Sequence, residues 1–184
     1  MKKILLIITS LVIITSAVFP QSKMDSDNLI NRGGVLYAPN DNKPYTGNVF
    51  SFYENGIEKL NGRYRNGLKN GKWTWWSEDG KMDRSGIFKN GIKNSKWTSW
   101  YNDGQKEYEG KYIDDRRDGL WIWWLINGNV EKERIYDKGK KVDETVYIYR
   151  FWDNGNRKIV GSEKNSERHG LWTWWSENGQ KASK

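Results

Sequence analysis

The groups that could do chemistry in this chain are few and stand apart. Cysteine is absent, and histidine occurs once, at His169 between Arg168 and Gly170. A thiolate–imidazole nucleophile and a zinc site each need several such groups to converge, so neither is expected. A lone histidine in a turn is more often a solvated residue than a base. The carboxylates Glu54, Glu78, Asp79, Asp103, Asp153 and Glu177 recur just before glycines. A glycosidase would need two carboxyl groups facing each other across a sugar. Carboxylates set one turn apart along a rim do not do this, and an acid before Gly is ordinary hairpin chemistry. Asp114, Asp115 and Asp118 come nearest to a calcium loop, but Arg116 and Arg117 stand between them. The many glycines lack phosphate-binding spacing. The expectation is a chain with no catalytic residues, no cofactor and no metal.

The residues suited to binding are aromatic and basic. There are 12 Trp, 10 Tyr and 5 Phe, whereas aliphatic side chains are sparse after residue 20, so the core must be aromatic. Five residues before each recurring glycine stand Ser51, Trp75, Ser99, Trp123, Arg150 and Trp174. If that face is wet, Trp75, Trp123 and Trp174 form a ladder that could stack on sugar rings or anchor a protein. If it is dry, the alternation is large–small packing. A second candidate surface is basic: Lys69, Lys72, Lys93, Lys96, Arg116 and Arg117 fall in the longer connections between repeats. Stacked repeats would align them along one rim, able to meet an acidic protein, anionic lipid or phosphate-bearing glycan. Solubility is the plainer role for such a rim.

The elements that must position these residues are repeats. The stretch Gly71 to Lys81, GKWTWWSEDGK, returns at Gly170 to Gln180 as GLWTWWSENGQ. Changed copies lie at 47–57, 95–105, 119–129 and 146–156. The turn glycines Gly56, Gly80, Gly104, Gly128, Gly155 and Gly179 are spaced 24, 24, 24, 27 and 24 apart. Such a period means a repeat architecture. Each repeat reads as two short strands around a tight Asp-Gly or Asn-Gly hairpin, followed by a longer turn such as 66–71. The predicted fold is all-β: about six tandem antiparallel hairpins forming an elongated, twisted single sheet. Two aromatic columns follow. Val49, Trp73, Trp97, Trp121, Ile148 and Trp172 make one; Phe52, Trp76, Trp100, Trp124, Phe151 and Trp175 make the other. They are three residues apart, so they lie on opposite faces unless a bulge brings them together. Gly62, Gly86 and Gly110 on the second strands either let a neighbouring aromatic lie across bare backbone or mark bulges. The three extra residues near 138–144 suggest a bulged fifth repeat. The last WTWW strand has no following partner strand and is an open edge, a site for self-association.

Three segments result: a signal peptide at 1–20, a lead-in at 21–46, and a repeat domain at 47–184. Met1-Lys2-Lys3 followed by the apolar run 4–19 has the build of a secretory signal, with the cut between Ala17 and Ser22. The chain is expected to be exported, to the periplasm, the outer surface or the medium, without a lipobox cysteine. Residues 23–32 are polar and expected to be loosely ordered. Removing residues 1–20 takes Lys2 and Lys3 from the formal charge of +8, leaving +6. That is mildly basic, and no nucleic-acid partner is expected.

The repeat resembles the MORN repeat variant, in its G-x-W/Y core, N-G turn and following G-x-Y/F. The arrangement is similar to the YwqK family of antitoxin components, of which this would be an exported member. The residues that carry the likeness are Leu36-Tyr37, Lys43-Pro44-Tyr45-Thr46-Gly47, Tyr53-Glu54-Asn55-Gly56 and Tyr64-Arg65-Asn66-Gly67, over about residues 34–181. The resemblance implies a non-enzymatic string of hairpins that binds protein or lipid. A protein-interaction scaffold or antitoxin-like binder is the first expectation. A cell-wall or glycan-binding module is the second, and an anionic membrane-surface binder the third.

Overall fold

The computed structural model describes residues 23–182, so the expected signal peptide lies outside the described residues. The lead-in holds β1 (Lys23–Asp25), a 3-10 turn at Ser26–Asn28, β2 (Ile30–Arg32) and β3 (Val35–Tyr37). The repeats begin with β4 (Gly47–Phe52), β5 (Glu58–Arg65), β6 (Leu68–Lys69), β7 (Gly71–Trp76) and β8 (Met82–Lys89). They continue with β9 (Ile92–Trp100), β10 (Lys106–Ile113), β11 (Arg116–Trp124) and β12 (Val130–Asp137). The last are β13 (Lys140–Phe151), β14 (Arg157–Lys164) and β15 (Glu167–Trp174). One 13-stranded open sheet runs β1-β4-β5-β7 and then in sequence order to β15, with β6 also paired to β5. The all-β meander read from the period is the observed architecture.

The two kinds of turn are the reverse of what the dipeptides suggested. The Asp-Gly and Asn-Gly turns at the recurring glycines are three-residue loops. Ser77 N–H donates to Lys81 O at 2.8 Å and Gly80 N–H to Ser77 O at 2.9 Å, and this pair recurs at all six glycines. Only the glycine has positive φ there, so each is a type I turn closed by a glycine bulge. The connections expected to be long are the two-residue hairpins. Asn66-Gly67, Asn90-Gly91, Asp114-Asp115, Lys138-Gly139 and Asn165-Ser166 have positive φ at both residues, the type I′ signature. The residues after them, such as Ile92 to Lys96, are already strand. The lead-in also differs from expectation. Lys23–Asp25 is an ordered strand, pairing in parallel with β4, and Leu29 and Met24 pack on the core.

The aromatic columns lie on opposite faces. Trp73, Trp97 and Trp121 are 1%, 4% and 0% exposed and form the core of one face. Each lies flat on a glycine of the preceding strand. A Cβ on Gly62 would fall 2.2 Å from the Trp73 ring, on Gly86 2.1 Å from Trp97, on Gly110 2.2 Å from Trp121, and on Gly161 2.2 Å from Trp172. The indole N–H then donates to the carbonyl just after that glycine: Arg63, Ile87, Lys111 and Ser162, at 3.1–3.2 Å. Tyr64, Phe88 and Tyr112 stand edge-on to the same rings. The glycines are thus packing sites. Where repeat five lacks its Trp, the glycine is absent too: Arg134 occupies the position and pairs with Glu144. Beside it Val142 is left without a ladder partner, the bulge expected from the longer interval.

Two substitutions test this packing. Gly86→Ala pushes a methyl into Trp97 and is expected to cost about 3 kcal/mol or more. Ser95 takes the positive φ (60°) that Gly71, Gly119 and Gly170 hold in three of the other repeats. Ser95→Gly is expected to raise stability by about 1 kcal/mol. Denaturant unfolding followed by Trp fluorescence measures both; a neutral Gly86→Ala contradicts the arrangement.

Candidate functional site

Two surfaces are available, one on each face. On the core face the cations of the expected rim are turned inward over the indoles. Lys69 Nζ lies 4.7 Å from the centre of Trp73 and 5.3 Å from Trp75. Lys93 lies 4.6 Å from Trp97, Arg117 4.7 Å from Trp121, and Arg168 4.7 Å from Trp172. They cap the core, and cation–π attraction of about 0.5–2 kcal/mol each helps offset their desolvation. Burial, followed by the nearby Arg84 and Lys93, holds the Lys69 pKa below the ordinary lysine value.

The candidate Trp ladder lies on this same face. Trp75 stacks between Trp73 at 5.7 Å and Trp97 at 6.0 Å, with Arg84 over its ring. Trp123 packs on Trp121 and is covered by Arg117, Lys132 and Arg134. Trp174 stacks on Trp172 and is the most open of the three, at 37%. The two serines of the series are buried, Ser51 at 1% and Ser99 at 6%, with Ser99 donating to Glu107 at 2.8 Å, whereas Arg150 is exposed.

Lys72 and Lys96 project from the opposite face, because each stands next to a core-face indole, Trp73 or Trp97, in the same strand. The expected single rim is therefore split between faces. Arg116 is exposed beside its type I′ turn, its alkyl stem against Gly139. Lys72 and Lys96 stand on one wall of a trench that crosses the strands. Thr98, 6% exposed, makes its floor together with Ser85 and Gly86, and Thr74 pairs with Ser85 beside it. Trp100 and Met82 line one side; Lys72, Ile87 and Lys96 line the other. This hollow, of about 380 Å³, shares Lys96 and Glu109 with a second of about 300 Å³ over Lys111, Leu120 and Ile122. It shares Lys72 with a third, of about 360 Å³, over Lys23, Asn48 and Arg63. Glu109 lies in the trench and bonds both Lys96 (3.1 Å) and Lys106 (2.6 Å). Burial pushes its carboxyl pKa up, but the two ammonium groups outweigh this and leave it below the ordinary value. The sequence reading named Lys72 and Lys96 but missed Thr74, Thr98, Met82 and Trp100 as their neighbours. The signal was the parity of Lys72, Thr74 and Trp76.

The acidic row has a local explanation. Each Asp or Asn before a turn glycine turns its Oδ1 back to the N–H two residues on, as Asp103 does to Gln105 at 2.9 Å and Asn154 to Asn156 at 2.9 Å. Among the described residues no three His, Cys, Asp or Glu side chains gather closely enough to hold a metal ion.

Residues 69–90 and 168–184 match the MORN repeat variant family model. The chain is similar to that family at two of its repeats, which are the ones carrying the WTWW stretch. No curated protein matches the chain.

Asp79 offers a pH test of the turn chemistry. The Ser77 hydroxyl at 2.5 Å and the Lys81 ammonium at 3.1 Å bring its pKa down to about 2. Folding therefore gains from its ionised form above the ordinary value of 3.8, and that gain is lost as pH falls toward about 2. Asp79→Asn keeps the turn, since Asn stands at the equivalent positions 55, 127, 154 and 178. The expected result is a wild-type unfolding midpoint that drops more steeply between pH 4 and pH 2 than that of Asp79→Asn.

Proposed function

We propose that this protein is a non-catalytic, exported repeat scaffold that binds a protein partner along the trench face of its sheet. One observation carries the reading. On the face opposite the indole core, apolar side chains stay uncovered in two pairs: Met82 (43%) and Ile87 (39%) in one hollow, and Leu120 (50%) beside Ile135 (43%). Uncovered apolar pairs set among charged side chains give this face the make-up of an interaction site. The similarity to MORN repeats, which suggests binding to proteins or membranes, supports the same reading. An antitoxin-like or immunity-like binder is its sharper form, with the trench occluding a surface of the partner. Export rests on the basic start and apolar run of residues 1–19.

The exposure of Trp174 favours a second reading, a glycan contact at the C-terminal end of the sheet. Self-association is a third way to use that end. There Ala182 N–H donates to Trp174 O at 2.9 Å and Lys181 bridges to Trp175, covering one end of the β15 edge.

Crosslinking pull-down from the native cell envelope tests the proposal, using residues 21–184. Recovery of one protein in stoichiometric amount, lost with Ile87→Glu or Leu120→Glu, is the expected result. Recovery of envelope polysaccharide alone, lost with Trp174→Ala, would replace it with the glycan reading.

A further inference from the structure

Resting on the protein-binding reading above, we propose that the trench takes an acidic polypeptide segment in the polyproline II conformation, lying across the strands. Direction comes first. The strands beneath the trench are paired on both sides, β7 by β5 and β8, and β9 by β8 and β10. A segment crossing them cannot join the ladder as an added strand. Its backbone must be satisfied without ladder partners, and polyproline II, which leaves its backbone groups to water and side chains, is an extended conformation that meets this condition. The Ser85 and Thr98 hydroxyls of the floor can serve those groups.

The walls agree with this ligand. Trp100, Met82 and Ile87 offer apolar surface, and aromatic-lined grooves receive proline-rich segments. Lys72, Lys96, Lys106 and Lys111 line the two joined hollows; Glu109 bonds Lys96 and Lys106, and Asp118 lies 4.0 Å from Lys111, so four cations face two carboxylates and the trench is cationic.

Spacing selects the conformation. Lys72 on β7 and Lys96 on β9 are two strands apart, about 9.6 Å. Polyproline II returns to the same face every third residue, after about 9.3 Å. A β-strand returns every second residue, after about 6.8 Å. A carboxylate at every third residue therefore meets successive lysines only in the polyproline form. Lys96 and Lys106 already share Glu109, and an incoming carboxylate would join that cluster.

The test titrates the full chain with a labelled (Pro-Pro-Glu)5 peptide and follows anisotropy. The expected result is saturable 1:1 binding that weakens with salt. Binding should fall at least about tenfold in Lys72→Glu/Lys96→Glu, whose fold is checked by circular dichroism. A peptide of equal charge with Glu at every second position should bind more weakly. Equal binding of the two acidic peptides, tight binding of (Pro-Pro-Lys)5, or indifference to the charge reversal overturns the proposal. If (Pro-Pro-Glu)5 fails while a protein still crosslinks through Ile87 or Leu120, this inference falls and the scaffold reading stands. If only polygalacturonate binds, in a Lys72- and Lys96-dependent way, both fall.

Discussion

Everything in this fold depends on an indole lying flat on a strand that has no side chain beneath it. A single-layer sheet has no second layer to bury its apolar face, so it must build a core from side chains on that face alone. The glycine removes the Cβ, the indole drops onto the backbone, and the ring N–H finds a carbonyl one residue further on. The geometry repeats four times with hydrogen bonds of 3.1–3.2 Å. It fixes a spacing of 11 residues from Gly to Trp, as in Gly62 to Trp73 and Gly161 to Trp172. The repeat length follows, because the turns must return the next glycine beside the next indole. The fifth repeat shows that the requirement is mutual. Without a Trp to receive, the position tolerates Arg134, and with it a bulge and a 12-residue β13.

The same constraint explains why cations sit in the core. An indole pressed on backbone leaves its outer face open, and Lys69, Lys93, Arg117 and Arg168 close it with a long alkyl stem and an ammonium or guanidinium head. A second set of contacts ties the repeats end to end. Tyr53 OH donates to Trp76 O at 2.8 Å, Tyr101 OH to Trp124 O at 2.7 Å, and the Trp152 indole to Trp175 O at 3.0 Å. These donors belong to the odd repeats, whereas Trp75, Trp123 and Trp174 belong to the even ones. The building unit is therefore a pair of repeats. Each unit touches only its neighbours, so stability accumulates along the stack.

The period, the all-β class and the order of the repeat strands were legible in the sequence, because each rests on residue type at fixed spacing; that spacing also singled out Gly62, Gly86 and Gly110 but left packing site and bulge as alternatives. The turns were not. Asp79-Gly80 and Asn66-Gly67 look alike, yet Asp79 turns its carboxylate onto its own loop and keeps negative φ, whereas Asn66 adopts the left-handed region together with Gly67. Nor was the division of the basic residues legible without the register. Lys69 and Lys72 read as one cluster, but Lys69 lies over the Trp73 ring, whereas Lys72, next to Trp73 in the strand, points to the other face. The parallel pairing of Lys23–Asp25 left no periodic trace at all, since it depends on the unpaired edge of β4 and not on any repeat.

Parity also explains how such a protein can keep its fold while its surface changes. Residues seven before each turn glycine are Val49, Trp73, Trp97, Trp121, Ile148 and Trp172, all on the core face. Residues eight before are Asn48, Lys72, Lys96, Leu120, Tyr147 and Leu171. The two series are adjacent in sequence, and they are under different physical demands. The first must fill the space above a glycine or give up that glycine. The second lies on the opposite face, where Asn48, Lys72, Lys96 and Leu120 line the hollows of the trench, and there polar, cationic and apolar side chains all occur without disturbing the indole beside them. A change from Lys to Leu there alters what the groove attracts and leaves the core untouched. The Lys72–Lys96 pair followed by Leu120 is thus a charge pattern that the fold permits but does not require, and it is in such positions that a partner's chemistry is written.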